Sequence, residues 1–207
     1  STTMQRIINS VPNSNICGEN FGAINSLLEF YKRIKTTTFD YVPGHLRPAS
    51  YEDIISKDVK PSWYNSYNFQ QTVSMIKILI ASLFKNKEAT NMWGFKEIRY
   101  DNGDIKYLKE FKELFPQTKV VIQIRGNITA QSQSSWLKKD KNALQYLNTL
   151  NNEFYNFYNQ NKEWCYFTTF EKMFDMENIK KIFEFIDCSQ YYDQSKIKQI
   201  LDNNIKD

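Results

Sequence analysis

The run KVVIQI at 119–124 is the feature that most restricts how this chain can fold. Its neighbouring β-branched side chains are typical of a strand that is covered on both faces. Met92–Ile98 and WCYFTTF at 164–170 are the next strand-like runs, and a short extended piece is expected at Asn15–Cys17. Because helical patterns separate these runs, the strands should pair in parallel. We therefore predict an α/β fold with a doubly wound, mainly parallel sheet flanked by helices.

Apolar residues at helical spacing predict the helices of this fold. One should end before Pro12, and the others are expected at about 21–35, 69–84, 105–115, 126–137, 140–161, 176–187 and 194–204. Residues 36–68 differ, because they hold three of the five prolines and many aromatic residues. We expect an irregular insertion there, on the substrate side of a single domain that spans 1–207.

Charge and composition restrict the partners of the chain. Its 27 basic and 23 acidic residues give a net charge of +4, which is too small and too dispersed to indicate nucleic-acid binding. An anionic ligand in one local pocket fits this balance better. The single histidine argues against a histidine-based metal site. No apolar run reaches the roughly 18 residues of a membrane span, so we expect no membrane contact within this chain. Cys17, Cys165 and Cys188 are widely spaced and predict buried free thiols, with one disulfide as the alternative.

Two segments are candidates for anion binding. Ser1, Thr2 and Thr3 stand at the start of the first helix, where backbone N–H groups and the helix dipole attract phosphate or sulfate. These residue types are also favoured helix N-caps, which is the structural alternative. Arg125 follows the 119–124 strand and offers a fork of donors suited to phosphate. A serine further along would add a donor. An arginine paired with an acid, beside serines on a solvated face, is the structural alternative there.

The opening segment STTMQRIINSVPNSNICGE resembles the start of sulfotransferases that use 3′-phosphoadenosine 5′-phosphosulfate (PAPS), especially the Golgi protein-tyrosine and carbohydrate groups. In that family a strand ends in a loop of the type R-S-G-[ST]-T, and Thr2, Thr3 and Arg6 fall on matching positions. The resemblance implies that the first strand and the start of this phosphate-binding loop lie upstream of Ser1. No G-x-x-x-x-G-K-[ST] string of a nucleotide kinase occurs in the sequence.

The segment RGNITAQSQSSW at 125–136 is similar to the family motif R-[DN]-P-x-x-x-x-x-S, which holds the 3′-phosphate of the cofactor. Gly126 and Asn127 replace the Asp-Pro pair. Ser134 is the serine we favour, and Ser132 is the alternative. WGFKEIRY (93–100) and FTTFEKMF (167–174) resemble further family segments, which include bacterial members.

The resemblance implies a P-loop-like doubly wound α/β fold, PAPS as co-substrate and no metal. The cofactor-binding residues would be Ser1, Thr2, Thr3, Arg125 and Ser134. Sulfuryl transfer would be an in-line displacement in which positioning and charge neutralisation supply most of the catalysis.

Glu19 in the string ICGEN is the candidate catalytic base, because protein-tyrosine sulfotransferases carry a Cys-Gly-Glu-Glu string at this place. Asn20 replaces their second glutamate. The structural alternative for Glu19 is an acid near the N-terminus of the next helix. His45 is the rival base, since cytosolic sulfotransferases use a histidine. Lys96 and Arg99 could point into the same crevice, or pair at the surface with Glu97 or Asp101.

Four residues are expected to contact the acceptor substrate: Arg6, His45, Trp63 and Tyr64. Tyr67 could join the aromatic pair, although aromatic loops also pack simply to bury themselves. The acceptor would be a hydroxyl on a glycan or on a protein or peptide tyrosine. A P-loop nucleotide kinase-like enzyme and a non-catalytic nucleotide-binding relative are the alternative functions. The compartment would be cytoplasmic for a prokaryotic type, and the Golgi lumen if an anchor precedes Ser1.

Overall fold

The computed structural model describes residues 2–39, 68–85, 90–134 and 137–203. The chain divides into two compact units. The first is made of Ser1–Gly22, Phe84–Lys106 and Gln117–Asp207, and the second of Ala23–Leu83 and Tyr107–Pro116.

Helices and strands alternate along the chain. The α-helices are α1 (Thr2–Ile8), α2 (Ala23–Phe39), α3 (Phe69–Phe84), α4 (Leu108–Leu114), α5 (Ile128–Ser132), α6 (Ala143–Gln160), α7 (Met176–Phe185) and α8 (Gln194–Asp202). The strands are β1 (Ser14–Cys17), β2 (Met92–Phe95), β3 (Val120–Ile124) and β4 (Cys165–Thr169). Short 3₁₀ helices cover Asp101–Tyr107, Leu137–Lys139, Glu171–Phe174 and Ser189–Tyr191.

The strands form two parallel pairs, both in the first unit. In one pair Ser14 of β1 faces Met92 of β2, and the register continues to the ends of both strands. In the other, Val120 of β3 faces Cys165 of β4. The predicted parallel pairing and the α/β character are therefore confirmed. Among the described residues the strands lie in two separate two-stranded sheets rather than in one continuous sheet.

One apolar core underlies both pairs. Helices α1, α7 and α8 contribute its most deeply buried side chains, such as Ile7, Phe183 and Ile197, each with 0% of its surface exposed. Met92 of β2 and Val121 of β3 pack against this same cluster. Helices α7 and α8 also begin with aspartate N-caps, which satisfy backbone N–H groups that the first helical turn leaves open.

The second unit is helical in its described part. The buried faces of its helices carry Ile24, Leu28, Tyr31, Ile76, Ile80, Leu108, Phe111 and Leu114. Charged pairs tie α2 to α4, with 2.5 Å between Lys35 Nζ and Glu113 Oε1. Burial, followed by the charge of Glu113, raises the pKa of the Tyr31 phenol to about 12.

Several boundaries differ from those expected of the sequence, among them the ends of β2, α5 and α2. Strand β2 ends at Phe95 instead of Ile98, where its partner β1 also ends at Cys17. The Lys96 N–H still donates to the Cys17 carbonyl at 2.9 Å, and Glu97 then binds the loop after β1 through its side chain. Helix α5 ends at Ser132, well before 137. Helix α2 continues to Phe39, so the first residues of the expected 36–68 insertion are helical. Residues 40–67 of that insertion lie outside the described part.

Candidate functional site

Four charged residues meet beyond the carboxyl ends of β1 and β2. Because the two strands are parallel, the segments that follow them leave from the same edge. Glu19 comes two residues after β1, and Lys96, Glu97 and Arg99 come directly after β2. We call these four residues the Glu19 cluster. Lys96 and Arg99 follow Glu19 by 77 and 80 residues in the chain, so it is the pairing of β1 with β2 that brings them together.

Glu19 is clamped between two cations. Lys96 Nζ donates to Glu19 Oε1 at 2.5 Å, and Arg99 Nη1 donates to Glu19 Oε2 at 2.7 Å. The hydrogen bond from Lys96 lowers the pKa of Glu19 most; burial opposes it, and Arg99 lowers it further. The side chains of Glu19 and Lys96 are only 24% and 19% exposed. The carboxylate is therefore held ionised in a partly desolvated place, where charges interact more strongly than in water.

Glu97 is the most deeply buried member of the cluster, with 1% of its side chain exposed. Its Oε2 accepts from the backbone N–H groups of Asn20 at 3.1 Å and Gly22 at 3.0 Å. Its Oε1 accepts from Ile98 at 2.8 Å and Arg99 at 3.1 Å. Burial acts to raise the pKa of Glu97, but these backbone bonds outweigh it and lower the pKa below its usual value.

The loop after β1 has an unusual backbone. Phe21 has a φ of 55° and Gly22 a φ of 76°. Such a φ is strained for a bulky residue like phenylalanine, and it persists only when surrounding contacts enforce it. The exposed Phe21 ring lies against the Arg99 guanidinium, whose central carbon is 4.1 Å from the ring centroid. Arg99 thus contacts both the Glu19 carboxylate and the loop.

Helix α1 and the turn that follows it are hydrogen-bonded to β1. Ser14, at the start of the strand, donates through Oγ to the Val11 carbonyl at 2.7 Å, just after the helix. Gln5 Nε2, earlier in the helix, donates to the carbonyl of Ile16 at 2.8 Å, near the end of the strand. Asn9, just after the helix, binds the same strand residue, accepting from the Ile16 N–H at 2.7 Å and donating to its carbonyl at 2.9 Å. A role of Thr2 and Thr3 in binding phosphosulfate stays a prediction.

Arg6 binds the end of another helix. Its Nη1 donates to the carbonyls of Asn203 at 2.9 Å and Ile200 at 3.4 Å, at the last turn of α8. These carbonyls lack partners within their helix, and a cation there also complements the helix dipole. A contact of Arg6 with substrate stays a prediction, and it would require these bonds to open.

Arg125 and Glu171 lie beyond the carboxyl ends of β3 and β4. The Arg125 guanidinium is exposed and lies 5.1 Å from the centroid of the Phe170 ring. Glu171 accepts from the backbone N–H of Gly126 at 3.1 Å and of Asn127 at 3.3 Å. An added Cβ at Gly126 would meet Glu171 Oε2 at 3.1 Å, so a glycine allows this close approach. The Glu171 carboxylate therefore already binds the backbone of the loop that follows Arg125.

The hydroxyl groups of the two candidate serines donate to nearby backbone carbonyls. Ser134 Oγ donates to the carbonyl of Gln131 at 2.7 Å, and Ser132 Oγ donates to that of Thr129 at 2.8 Å. Ser132 is buried, whereas Ser134 is half-buried. Both hydroxyl oxygens keep acceptor capacity, but a role as donor to phosphate would require rotation. The choice of Ser134 stays a prediction.

Several predicted site residues lie outside the described part of the chain: Ser1, His45, Trp63, Tyr64 and Tyr67. Sequence reasoning considered Lys96 and Arg99, and it expected Glu97 only as their surface partner. It missed the burial of Glu97 and the bonds to the loop after β1 that are made by Glu97. Its only local signal was an acidic residue between two basic ones after a strand-like run. All three cysteines are described and none forms a disulfide, so the expected free thiols are confirmed.

Within the described ranges, no group of three or more histidine, cysteine, aspartate or glutamate residues is arranged to hold a metal ion. No helix among these residues is both long and apolar enough to cross a membrane. In comparisons with protein-family models, curated proteins and solved structures, the chain matches none of them.

Proposed function

We propose that this chain is a sulfotransferase that moves the sulfuryl group of PAPS to an acceptor hydroxyl. One observation carries the proposal: a carboxylate and two cations, Glu19, Lys96 and Arg99, meet at the carboxyl ends of a parallel strand pair. Ligands of α/β folds bind at this kind of edge, and sulfuryl transfer needs both a proton acceptor and neutralisation of anionic oxygens. The opening sequence motif and the Arg125 segment support the same function. A complete P-loop-like doubly wound sheet is part of this proposal.

Each residue has a separate task in the proposed reaction. Thr2 and Thr3 bind the phosphosulfate end of PAPS, and the backbone N–H groups at the amino end of α1 add donors. Arg125 binds the 3′-phosphate through its exposed guanidinium, and Ser134 supplies a further donor. Lys96 and Arg99 turn from Glu19 to the oxygens of the moving sulfuryl group. The charge that develops on those oxygens is then held by nearby cations.

Glu19 accepts the proton of the acceptor hydroxyl in this proposal. The hydroxyl oxygen attacks sulfur, the bond from sulfur to the bridging phosphate oxygen breaks, and adenosine 3′,5′-bisphosphate leaves. In the absence of ligand, the two cations keep the pKa of Glu19 low and so make it a weak base. When Lys96 and Arg99 move to the sulfuryl oxygens, the proton affinity of Glu19 rises as it is needed.

Parallel thermal melts test the function. Adenosine 3′,5′-bisphosphate without metal should raise the melting temperature, because a ligand that binds only the folded state adds about 2.7 kcal/mol at a hundred times its Kd. ATP with Mg²⁺ is the matched arm, and stabilisation by that arm alone would indicate a kinase-like enzyme instead. Transfer of labelled sulfate from PAPS to a tyrosine peptide or to a glycan then identifies the acceptor. Binding of the nucleotide without transfer to either acceptor would favour a non-catalytic relative.

A further inference from the structure

Glu97 forms hydrogen bonds to two segments that are far apart in the sequence. Its carboxylate binds Asn20 and Gly22 on the loop after β1, and Ile98 and Arg99 on the segment after β2. Four backbone donors thus converge on one side chain that is 1% exposed. A carboxylate can accept this many bonds, whereas a neutral side chain of the same size cannot match both its charge and its acceptor sites.

Two of the residues that bind Glu97 flank Phe21, the residue with strained backbone angles. Asn20 and Gly22 stand on either side of Phe21, whose φ of 55° is unfavourable for its side chain. Without a partner for these two N–H groups, the loop would relax toward ordinary backbone angles. Glu19 directly precedes Asn20, so the position of its carboxylate depends on the same anchor.

We infer that Glu97 is the positioning residue of the candidate site, because its buried carboxylate holds the Glu19 loop against Lys96 and Arg99. Glu97 itself faces backbone N–H groups and the Arg99 guanidinium, and it acts on the reaction only through Glu19 and Arg99. Its effect on turnover rests on the proposed function; its effect on the loop does not.

The variant Glu97→Gln tests this inference, with Glu29→Gln as the matched control. The Glu29 side chain is 41% exposed and pairs with Arg33 one helical turn away, so the control removes the same charge outside the loop. Amide hydrogen exchange and NMR titration of the Glu19 carboxyl are measured on both variants. In Glu97→Gln we expect the Asn20 and Gly22 amides to exchange about tenfold faster, because charged hydrogen bonds are replaced by weaker ones. The pKa of Glu19 should move toward its ordinary value.

Kinetics separate positioning from simple destabilisation. Glu97→Gln should lower kcat and leave the KM for PAPS unchanged, while Glu29→Gln should change neither. If Glu97→Gln does not fold, Glu97→Asp keeps the charge but is one methylene shorter, and it should show smaller shifts in the same direction. Unchanged exchange at Asn20 and Gly22 with unchanged Glu19 titration, in a folded variant, would overturn the inference.

The two proposals fail in different ways. A wild-type protein without sulfate transfer, in which Glu97→Gln still loosens the loop, would overturn the proposed function and support the role of Glu97. A wild-type protein that transfers sulfate, in which Glu97→Gln leaves the loop and Glu19 unaffected, would overturn the role of Glu97 alone.

Discussion

The edge beyond β1 and β2 and the edge beyond β3 and β4 follow the same kind of parallel strand pair, yet they hold their charges differently. At the first edge, Lys96 and Arg99 both pair with Glu19, and the buried Glu97, 3.5 Å from Arg99, supplies the second negative charge. At the second edge, the Arg125 guanidinium is exposed against an aromatic ring, and the exposed Glu171 binds backbone rather than the arginine.

The difference suits the first edge to catalysis and the second edge to ligand binding. A cluster whose charges are paired and partly desolvated holds its geometry before any ligand arrives, which is what a reacting centre requires. An exposed guanidinium gains hydrogen bonds when an anion arrives and has little structure to lose, which suits binding of a terminal phosphate. We therefore expect changes at the first edge to affect both stability and turnover, and changes at the second to affect binding alone.

The largest effect is expected from Glu19→Gln. Turnover should fall about 10²- to 10⁴-fold, because the proton acceptor is lost. Unfolding free energy should fall by about 1–3 kcal/mol, since Lys96 and Arg99 lose a partly buried partner. Labelled-sulfate transfer and urea unfolding measure the two effects, and calorimetry should find nucleotide affinity retained. Full turnover in the variant would move the base elsewhere.

Arg125→Ala should separate binding from stability. Affinity for adenosine 3′,5′-bisphosphate should fall about ten- to hundredfold, because hydrogen bonds to a charged phosphate are lost. Unfolding free energy should change by less than about 0.5 kcal/mol, as for other exposed sites. Isothermal calorimetry and urea unfolding provide the two values. Lys198→Ala, an exposed cation on α8, is the matched control and should bind normally. Equal losses of nucleotide affinity in Arg125→Ala and Lys198→Ala would argue against a phosphate site at Arg125.

Acid should lower the free energy of unfolding, and part of this loss should depend on Glu97. The folded-state pKa values of Glu19 and Glu97 lie below the ordinary 4.5. Each group therefore stabilises the fold fully above its unfolded pKa, and this contribution is lost as pH falls through the lower folded pKa. Urea unfolding at a series of pH values should show stability declining below about pH 5. The decline should be smaller in Glu97→Gln, and identical slopes in both proteins would contradict the assignment.

The smallest effect is expected from Gly126→Ala. The new Cβ would stand 3.1 Å from Glu171 Oε2, but this atom ends a flexible, exposed side chain and can shift by a few tenths of an ångström. We expect a stability change within about 0.5 kcal/mol. The amides of Gly126 and Asn127 should exchange faster, because Glu171 moves away from them. A large loss of stability would mean that the second edge is as rigid as the first.

Local patterns predicted many of the elements closely. Helix α3 occupies Phe69–Phe84, the range its apolar stripe indicates, and β3 covers all but the first residue of the 119–124 run. These segments carry their own periodicity, and burial of that periodic face is what stabilises them. Boundaries set by a distant partner were missed. Strand β2 stops at Phe95 because its partner β1 ends at Cys17, and α5 stops early although nothing in its apolar pattern predicts an end at Ser132.

The sequence by itself determined the order of helices and strands, their parallel pairing, the free thiols and the presence of charged residues after each strand. Those features depend on residue type and spacing, which act over a few neighbours. Only the tertiary structure decided that Glu19 contacts Lys96 and Arg99, that Glu97 anchors the Glu19 loop, and that Arg6 binds the end of α8. Contacts between residues 75 to 197 positions apart depend on how the strands and helices pack against one another, and no local pattern contains that information.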